Sequence, residues 1–324
     1  MSQRLTGFAC WRRLIFFSAV GFSVSGTPRT LDLKGYLHAT GAITVQHQGD
    51  TVDPYFALQA IELAQSHGLN ASSVVKPWGR WLAQKYVEGG HLGRYCQSNK
   101  DATGQHTWHW CKPPDADDAS LAMWWQFLNR LSVQDQQAIG APHMKARAQQ
   151  DLQALLNPQT GVYNVSLHIP HSLFMDNLEI WSVWPSDPLR QAIQKSFWDP
   201  AKGTYRVSSQ SAHPQTGQAF YPDGTAQIYP LLVSYTGLPG GAAAYYQRWM
   251  RQYRSAWLAQ IGREFPWGVI ALIAWKQGDL GSMRCWQSLA APWRHSAYWT
   301  VTDEVVTQIL PPLSLPGPSK ESCT

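Results

Sequence analysis

Asp115-Ala-Asp-Asp-Ala-Ser-Leu-Ala-Met-Trp-Trp125 is the stretch on which the fold turns. A cluster of acids gives way to a run of Ala, Leu, Met and Trp with no β-branched residue, which is how a helix start reads. From Ala119 onward almost every position is apolar or small, so this helix is buried on most sides rather than along one stripe. Five other helix openings carry a comparable motif. They are Val52-Asp-Pro-Tyr-Phe56, Phe174-Met-Asp-Asn-Leu-Glu179, Tyr221-Pro-Asp-Gly-Thr-Ala-Gln227, Phe265-Pro-Trp-Gly268 and Val301-Thr-Asp-Glu304. Between them lie longer, amphipathic helices with Arg and Gln on one face, such as Gly241–Gln260. The alternation predicts an all-α chain of six helical hairpins, an (α/α)6 toroid. Apolar helices form its inner ring, and their N-termini open onto one face.

Working outward, apolar spacing and end signals predict helices at Pro54–His67, Ser72–Tyr86, Asp118–Leu131, Pro142–Leu155, Phe174–Trp184 and Leu189–Phe197. Five more follow at Gly224–Tyr235, Gly241–Gln260, Trp267–Lys276, Asp279–Leu289 and Asp303–Leu310. Asp53 is placed as an N-cap, with Pro54 at the first helical position. β-branched alternation is scarce, so no sheet is expected. The 324 residues contain no convincing linker. Residues 27–310 therefore read as one domain, and residues 311–324, rich in Pro, as an irregular tail.

Charged residues make up 15% of the chain, against about 25% in an average globular protein, which excludes a disordered chain. The formal charge is +5, but Arg4, Arg12 and Arg13 lie in an N-terminal segment without acids. Removing these three leaves +2. That is too weak for a nucleic-acid footprint. Leu14–Gly26 is apolar but short of the roughly twenty residues that span a bilayer. Small residues close it, so residues 1–26 read as a signal peptide and the mature chain as periplasmic or secreted, with no integral membrane span. Export leaves Cys96, Cys111, Cys285 and Cys323, an even number in an oxidising compartment. They are expected to pair as Cys96–Cys111 and Cys285–Cys323. The spacing Cys-x9-His-x2-His-x-Cys through His106 and His109 fits no usual zinc pattern. His168 and His171 lack a third ligand. Neither metal nor cofactor is expected.

The motif-bearing helices resemble those of the six-hairpin glycosidase superfamily. Asp118-Ala-Ser-Leu-Ala-Met-Trp-Trp is similar to an inner-helix motif of bacterial toroid endoglucanases. Phe174-Met-Asp-Asn-Leu-Glu resembles the Asp-Met-Met-Asn-type motif of unsaturated glucuronyl hydrolases. The chain lacks the Glu-Gly motif of the former and the His-Asp motif of the latter. The resemblance implies a glycoside hydrolase acting on a polysaccharide or oligosaccharide. Asp115-Ala-Asp-Asp118 also resembles the D-x-D-D motif of class II terpenoid cyclases, whose middle Asp is the acid.

Glycoside cleavage usually takes two carboxyl groups, one to protonate the leaving oxygen and one to activate water or attack the sugar. Asp117 or Asp118 is the expected proton donor or sugar-positioning group, and Asp176 or Asp223 the group that activates water. Glu179 lies on the same helical face as Asp176. Every one of these acids has a structural alternative, because Asp is a preferred N-cap. Asp303 and Glu304 read as such a cap. Trp108, Trp110, Trp124, Trp181, Tyr221 and Trp267 are candidate sugar platforms, since flat aromatic rings pack against the apolar faces of sugars. Trp108 and Trp110 are placed in a polar loop between Cys96 and Cys111. A lyase would use Tyr221 or His171 as base. A non-catalytic glycan-binding or matrix-assembly protein on the same fold is the alternative outside catalysis. No oligomeric state follows from the sequence.

Overall fold

The computed structural model describes residues 29–89, 92–98, 106–210, 220–263, 265, 267–313 and 323. The expected signal segment and most of the expected tail lie outside them. The described chain is predominantly helical, with twelve α-helices. They are α1 (Pro54–Ser66), α2 (Ser72–Gly89), α3 (Asp117–Arg130), α4 (Val133–Ala138), α5 (Ala141–Leu155) and α6 (Phe174–Val183), then α7 (Asp187–Phe197), α8 (Thr225–Leu232), α9 (Ala242–Ala259), α10 (Gly268–Lys276), α11 (Leu280–Ala290) and α12 (Val301–Ile309). Eleven match the expected helices within a few residues. The twelfth, α4, is a short addition capped by Ser132, whose side chain accepts from the Asp135 N–H.

The end signals act as the sequence suggests. The Asp53 side chain accepts from the Tyr55 N–H and caps α1, and Pro54 stands in its first turn. α12 begins earlier than expected. Its N-cap is Thr300, and Asp303 reaches back to the Thr300 N–H to complete a capping box.

Two classes of helix are visible in the burial. From Phe174 to Trp181 only Met175 of α6 is not buried. α8 is buried from Thr225 to Leu231 and α10 from Gly268 to Ala274. α9 instead buries one stripe, Tyr245, Tyr246, Trp249, Met250, Trp257 and Leu258. The packing explains the difference. α1 packs on α3, α3 on α6, α6 on α8, α8 on α10, α10 on α12, and α12 on α1. α5, α7, α9 and α11 each pack on one member of that series, on α3, α6, α8 and α10 respectively. A helix flanked on three sides has no polar face to spare.

Most tryptophans serve this packing. Trp78 stacks on Trp81, Trp124 on Phe127, and Trp286 on Trp299. Removing one such fully buried ring costs about 3–5 kcal/mol.

One expectation fails. The segment around Cys96 and Cys111 is not a polar loop but a small antiparallel sheet, β1 (Thr51–Val52), β2 (Arg94–Gln97) and β3 (Trp108–Lys112), in that order. The Cys96–Cys111 disulfide joins β2 to β3, and Cys96 is paired with His109 in the ladder. A second two-stranded pair, β4 (Trp198–Asp199) and β5 (Thr204–Tyr205), closes the turn after α7. Cys285 and Cys323 are also bonded, and Cys323 is fully buried although it lies in the expected tail. Among the described residues no helix is long and apolar enough to cross a membrane.

Candidate active site

The N-terminal ends of α1, α3, α6, α8, α10 and α12 surround one cleft of about 230 Å³. That is somewhat below the roughly 300 Å³ at which small-molecule sites usually begin. Each helix contributes from its first turns or from the residues just before it. Asp53, Tyr55 and Gln59 come from α1, Asp115 and Ser120 from α3, and Asp176 from α6. Tyr221 and Tyr229 come from α8, Trp267 from α10, and Thr300 and Asp303 from α12. Leu92 and Arg94, at the start of β2, form a further wall.

Three buried carboxyl groups meet where α3 packs on α6: Asp118 at 0% exposure, Asp176 at 6% and Glu179 at 4%. Only Asp176 lines the cleft. Glu179 Oε1 accepts from the hydroxyls of Tyr55 and Tyr229 and from Gln59 Nε2. Asp118 is different. Apart from the N–H of its neighbour Ala119, which favours its charged form, no donor among the described residues reaches its carboxyl oxygens, and none reaches Asp176 Oδ2 or Glu179 Oε2. A buried carboxylate with few donors and no cation holds its proton. Burial pushes Asp176 up to about 7. Burial, reinforced by Asp176, pushes Glu179 up to about 8 against the opposing bonds from Tyr229, Tyr55 and Gln59. Asp118 rises well above the carboxylate range through burial and then through the charges of Asp176 and Glu179.

The other side of the cleft is built on an ion-pair chain. Arg94 Nε donates to Asp53 Oδ2 at 2.6 Å, and Arg94 Nη2 donates to Asp115 Oδ2 at 2.7 Å. Lys112 of β3 also reaches Asp115, at 3.0 Å. Burial raises the pKa of Asp53, while the Arg94 bond and the Tyr55 N–H favour its charged form. Burial disfavours the Arg94 charge, yet Asp53 and Asp115 hold the guanidinium more firmly protonated than usual. The disulfide-pinned sheet sets this up, because Arg94 stands two positions before Cys96.

Tyr221 and Trp267 form an aromatic platform, their rings stacked at 4.8 Å and 19°. Tyr221 is 47% exposed as a residue. Burial raises its pKa, as do the charges of Asp176, Asp115 and Glu179. Trp267 sits just before α10 with φ +54°, a left-handed conformation seldom held by an aromatic residue, and its indole N–H has no partner.

The candidates from the sequence therefore divide. Asp118 and Asp176 are brought together, and Asp176, Tyr221 and Trp267 line the cleft. Asp117 does not line it. It faces Asp151 and His168, and burial followed by Asp151 raises it to about 6. Asp223 follows Tyr221 and Pro222 in the turn before α8 without lining the cleft. Trp124 is fully buried against Tyr86 and Phe127, and Trp181 is buried against Tyr235. Trp108 is buried, edge-on to Trp81, with its N–H given to Thr40. Trp110 is half-exposed on β3 but is not part of the cleft lining. His171 does not line the cleft either.

Sequence reasoning missed Arg94 and the tyrosines Tyr55 and Tyr229, and assigned Asp53 only a capping role. The signal available for Asp53 was its equivalence to the other helix-opening acids. Nothing local marks Arg94. Among the described residues no group of three His, Cys, Asp or Glu side chains is placed to hold a metal ion. No protein-family model, curated protein or solved structure matches the chain.

Proposed function

We propose that the chain is an exported (α/α)6 toroid that hydrolyses glycosidic bonds in a polysaccharide or oligosaccharide, with Asp176 as proton donor and Asp53 as the opposing carboxylate. The cyclic order of packing through α1, α3, α6, α8, α10 and α12 supports the toroid reading. One observation carries the chemistry: Asp176 is a buried acid on a cleft wall, with an oxygen that no protein donor satisfies. Burial raises both carboxyl groups, but only Asp53 has a cation bonded to it to favour its charged form. Asp176 has no cation beside it and keeps its proton to about pH 7, whereas Arg94 pairs directly with Asp53. Environments that separate two carboxyls in this way divide the roles of acid and base. Asp176 gives its proton to the leaving oxygen as the bond to the anomeric carbon breaks. Asp53 takes a proton from the water that attacks that carbon. Tyr221 and Trp267 supply a flat apolar face for a sugar ring.

A reducing-sugar screen of the mature protein on a polysaccharide panel tests the reading. Turnover should fall as pH rises through about 7, the point at which Asp176 loses its proton. Asp176→Asn and Asp53→Asn should each abolish most of it.

The binding reading is favoured by one specific observation, that Asp53 and Asp115 are both spent on Arg94. Glycan binding without cleavage in the same panel would establish it. The lyase reading is weaker, because burial raises the pKa of Tyr221 and makes it a poor base. The cyclase reading is weaker again, because the middle acid of its motif, Asp117, does not line the cleft.

A further inference from the structure

The acid behind Asp176 has a part of its own. Asp118 opens α3 and is fully buried, so water cannot solvate it. Beyond the N–H of its neighbour Ala119, no donor among the described residues reaches its carboxyl oxygens, and none reaches Asp176 Oδ2. The charged groups it feels are Asp176 and Glu179, both acids. The other polar groups around the cluster are Tyr55 and Gln59 on α1, Tyr229 on α8, and Tyr221 before it. The first three are committed to Glu179. Arg94, the cation that lines the cleft, is committed to Asp53 and Asp115. An ionised Asp118 would be a buried charge with one backbone N–H, that of Ala119, and no cation to compensate it, which costs more than keeping a proton. A protonated Asp118 has one O–H to give, and the acceptor it faces is the carboxyl of Asp176.

We infer that Asp118 is a permanently protonated positioning residue that donates a hydrogen bond to the Asp176 carboxyl, so that the two acids act as one proton-sharing pair. The assignment does not depend on what the cleft binds. Two carboxyls in contact cannot both ionise, and a shared proton settles which one does. Here the pair divides by access. Asp118 is sealed and keeps its proton, while Asp176 faces the cleft and exchanges its own. The bond from Asp118 also stabilises the charged form of Asp176. It thereby holds that group near neutrality rather than letting burial carry it higher. Asp118 does this without touching a ligand.

The test follows the carboxyl carbons of the full-length folded protein, labelled with 13C at Asp, through a pH titration by NMR. Asp176→Asn and Asp118→Asn assign the two signals. In the native protein one signal should titrate near neutral pH and vanish in Asp176→Asn. A second should keep the shift of a protonated acid to the highest pH at which the protein stays folded. In Asp118→Asn the amide still donates to Asp176, so the Asp176 midpoint should stay within about half a unit of native. In Asp118→Leu the donor is lost, and the midpoint should rise by about one unit, a tenfold change in proton affinity. A merely structural Asp118 would move neither midpoint. The inference is overturned if Asp118 titrates with the ordinary carboxylates. It is equally overturned if Asp118→Asn shifts Asp176 by a unit or more in either direction, since a fall would show that a negative charge on Asp118 had been raising it. An unmoved midpoint in Asp118→Leu also overturns it. Should neither Asp118 variant fold, the signals of the native protein and Asp176→Asn decide alone.

Discussion

The N-termini of α6 and α12 carry the same kind of residue in the same kind of place, and they treat it in opposite ways. At α12 every acid is spent. Asp303 accepts from the Gly268 N–H at 2.6 Å, from the Thr300 N–H at 3.1 Å and from the Thr300 hydroxyl at 2.7 Å. Glu304 accepts from Arg294, from Trp299 Nε1 and from Gln308. Gly268 is part of the arrangement, because a Cβ there would lie 2.9 Å from Asp303 Oδ1 and 2.8 Å from the Trp286 ring. At α6 the acids are left wanting. Among the described residues Asp176 and Glu179 each keep a buried oxygen with no partner, and the side chain of Asp118 across from them has no donor beyond the N–H of Ala119 beside it. Burial alone does not separate a cap from a site, since all five of these acids are at least nine-tenths buried. The donor count does. A capping acid is closed by the fold, whereas an acid meant for a ligand is left open at some cost in stability.

The largest expected effect breaks or upholds this contrast directly. On a substrate found by screening, Asp176→Asn should lower turnover by roughly 10²–10⁴-fold while leaving the folded state intact. Native-like turnover in a folded Asp176→Asn variant would sink the assignment. The opposite response is expected at α12. Asp303→Ala strands the Gly268 N–H and both Thr300 donors, and should cost roughly 2–3 kcal/mol by denaturant unfolding. A loss below about 0.5 kcal/mol would mean that the cap is not closed as described.

A third expectation turns on the sign of the pH dependence. Asp176 and Glu179 have folded values of about 7 and about 8, above the ordinary values of about 3.9 and about 4.3 for an unfolded chain. Between those limits the folded state binds more protons than the unfolded state. Their contribution is therefore fully present below about pH 4 and is lost as pH rises toward 8. Glu179→Gln still accepts from Tyr55 and Tyr229 through its carbonyl oxygen but has no proton to lose. The fall in stability between pH 5 and pH 8 should shrink by on the order of 2 kcal/mol, read from urea unfolding at both pH values. An unchanged slope would show that Glu179 is ionised throughout. The smallest effect belongs to the platform. Tyr221→Leu should weaken sugar binding by about 3–10-fold in calorimetry, the worth of one aromatic contact. No change would place the sugar elsewhere.

Much of this was legible before any coordinates. Eleven helices announced themselves because Asp, Pro and Gly punctuate the chain where backbone groups need caps, and those signals are local. The sheet was not legible. Arg94-Tyr-Cys-Gln97 and Trp108-His-Trp-Cys-Lys112 bury one face only partly, and what pairs them is a disulfide and a partner strand, not an alternation. The choice among tryptophans failed for a geometric reason. A helical side chain reaches the cleft only from the first turns of its helix or just before it. Trp124 lies six residues beyond Asp118, about 9 Å down the helix, and Trp181 lies five beyond Asp176. Trp267 precedes its helix and does reach the cleft. Asp53 and Arg94 were hidden because their partnership spans 41 positions, and no periodicity encodes such a pair.

The contact between α1 and α12 has a consequence for how the chain folds. Thr302 donates to the Phe56 carbonyl across 246 positions, and Arg29 donates to Ile309 across 280. A contact this remote in sequence carries the greatest loop-closure entropy in the molecule and gains nothing until the intervening helices are in place. The seam is therefore the last to shut. Until it does, the sides of α1 and α12 that pack together stand in water, and exposed apolar surface of that kind favours aggregation. Joining the ends of the chain and cutting it between α7 and α8 would turn this seam into a short-range contact and make the α6–α8 contact the remote one. In that permutant the last contact to close should become the one between α6 and α8, while the native structure stays the same.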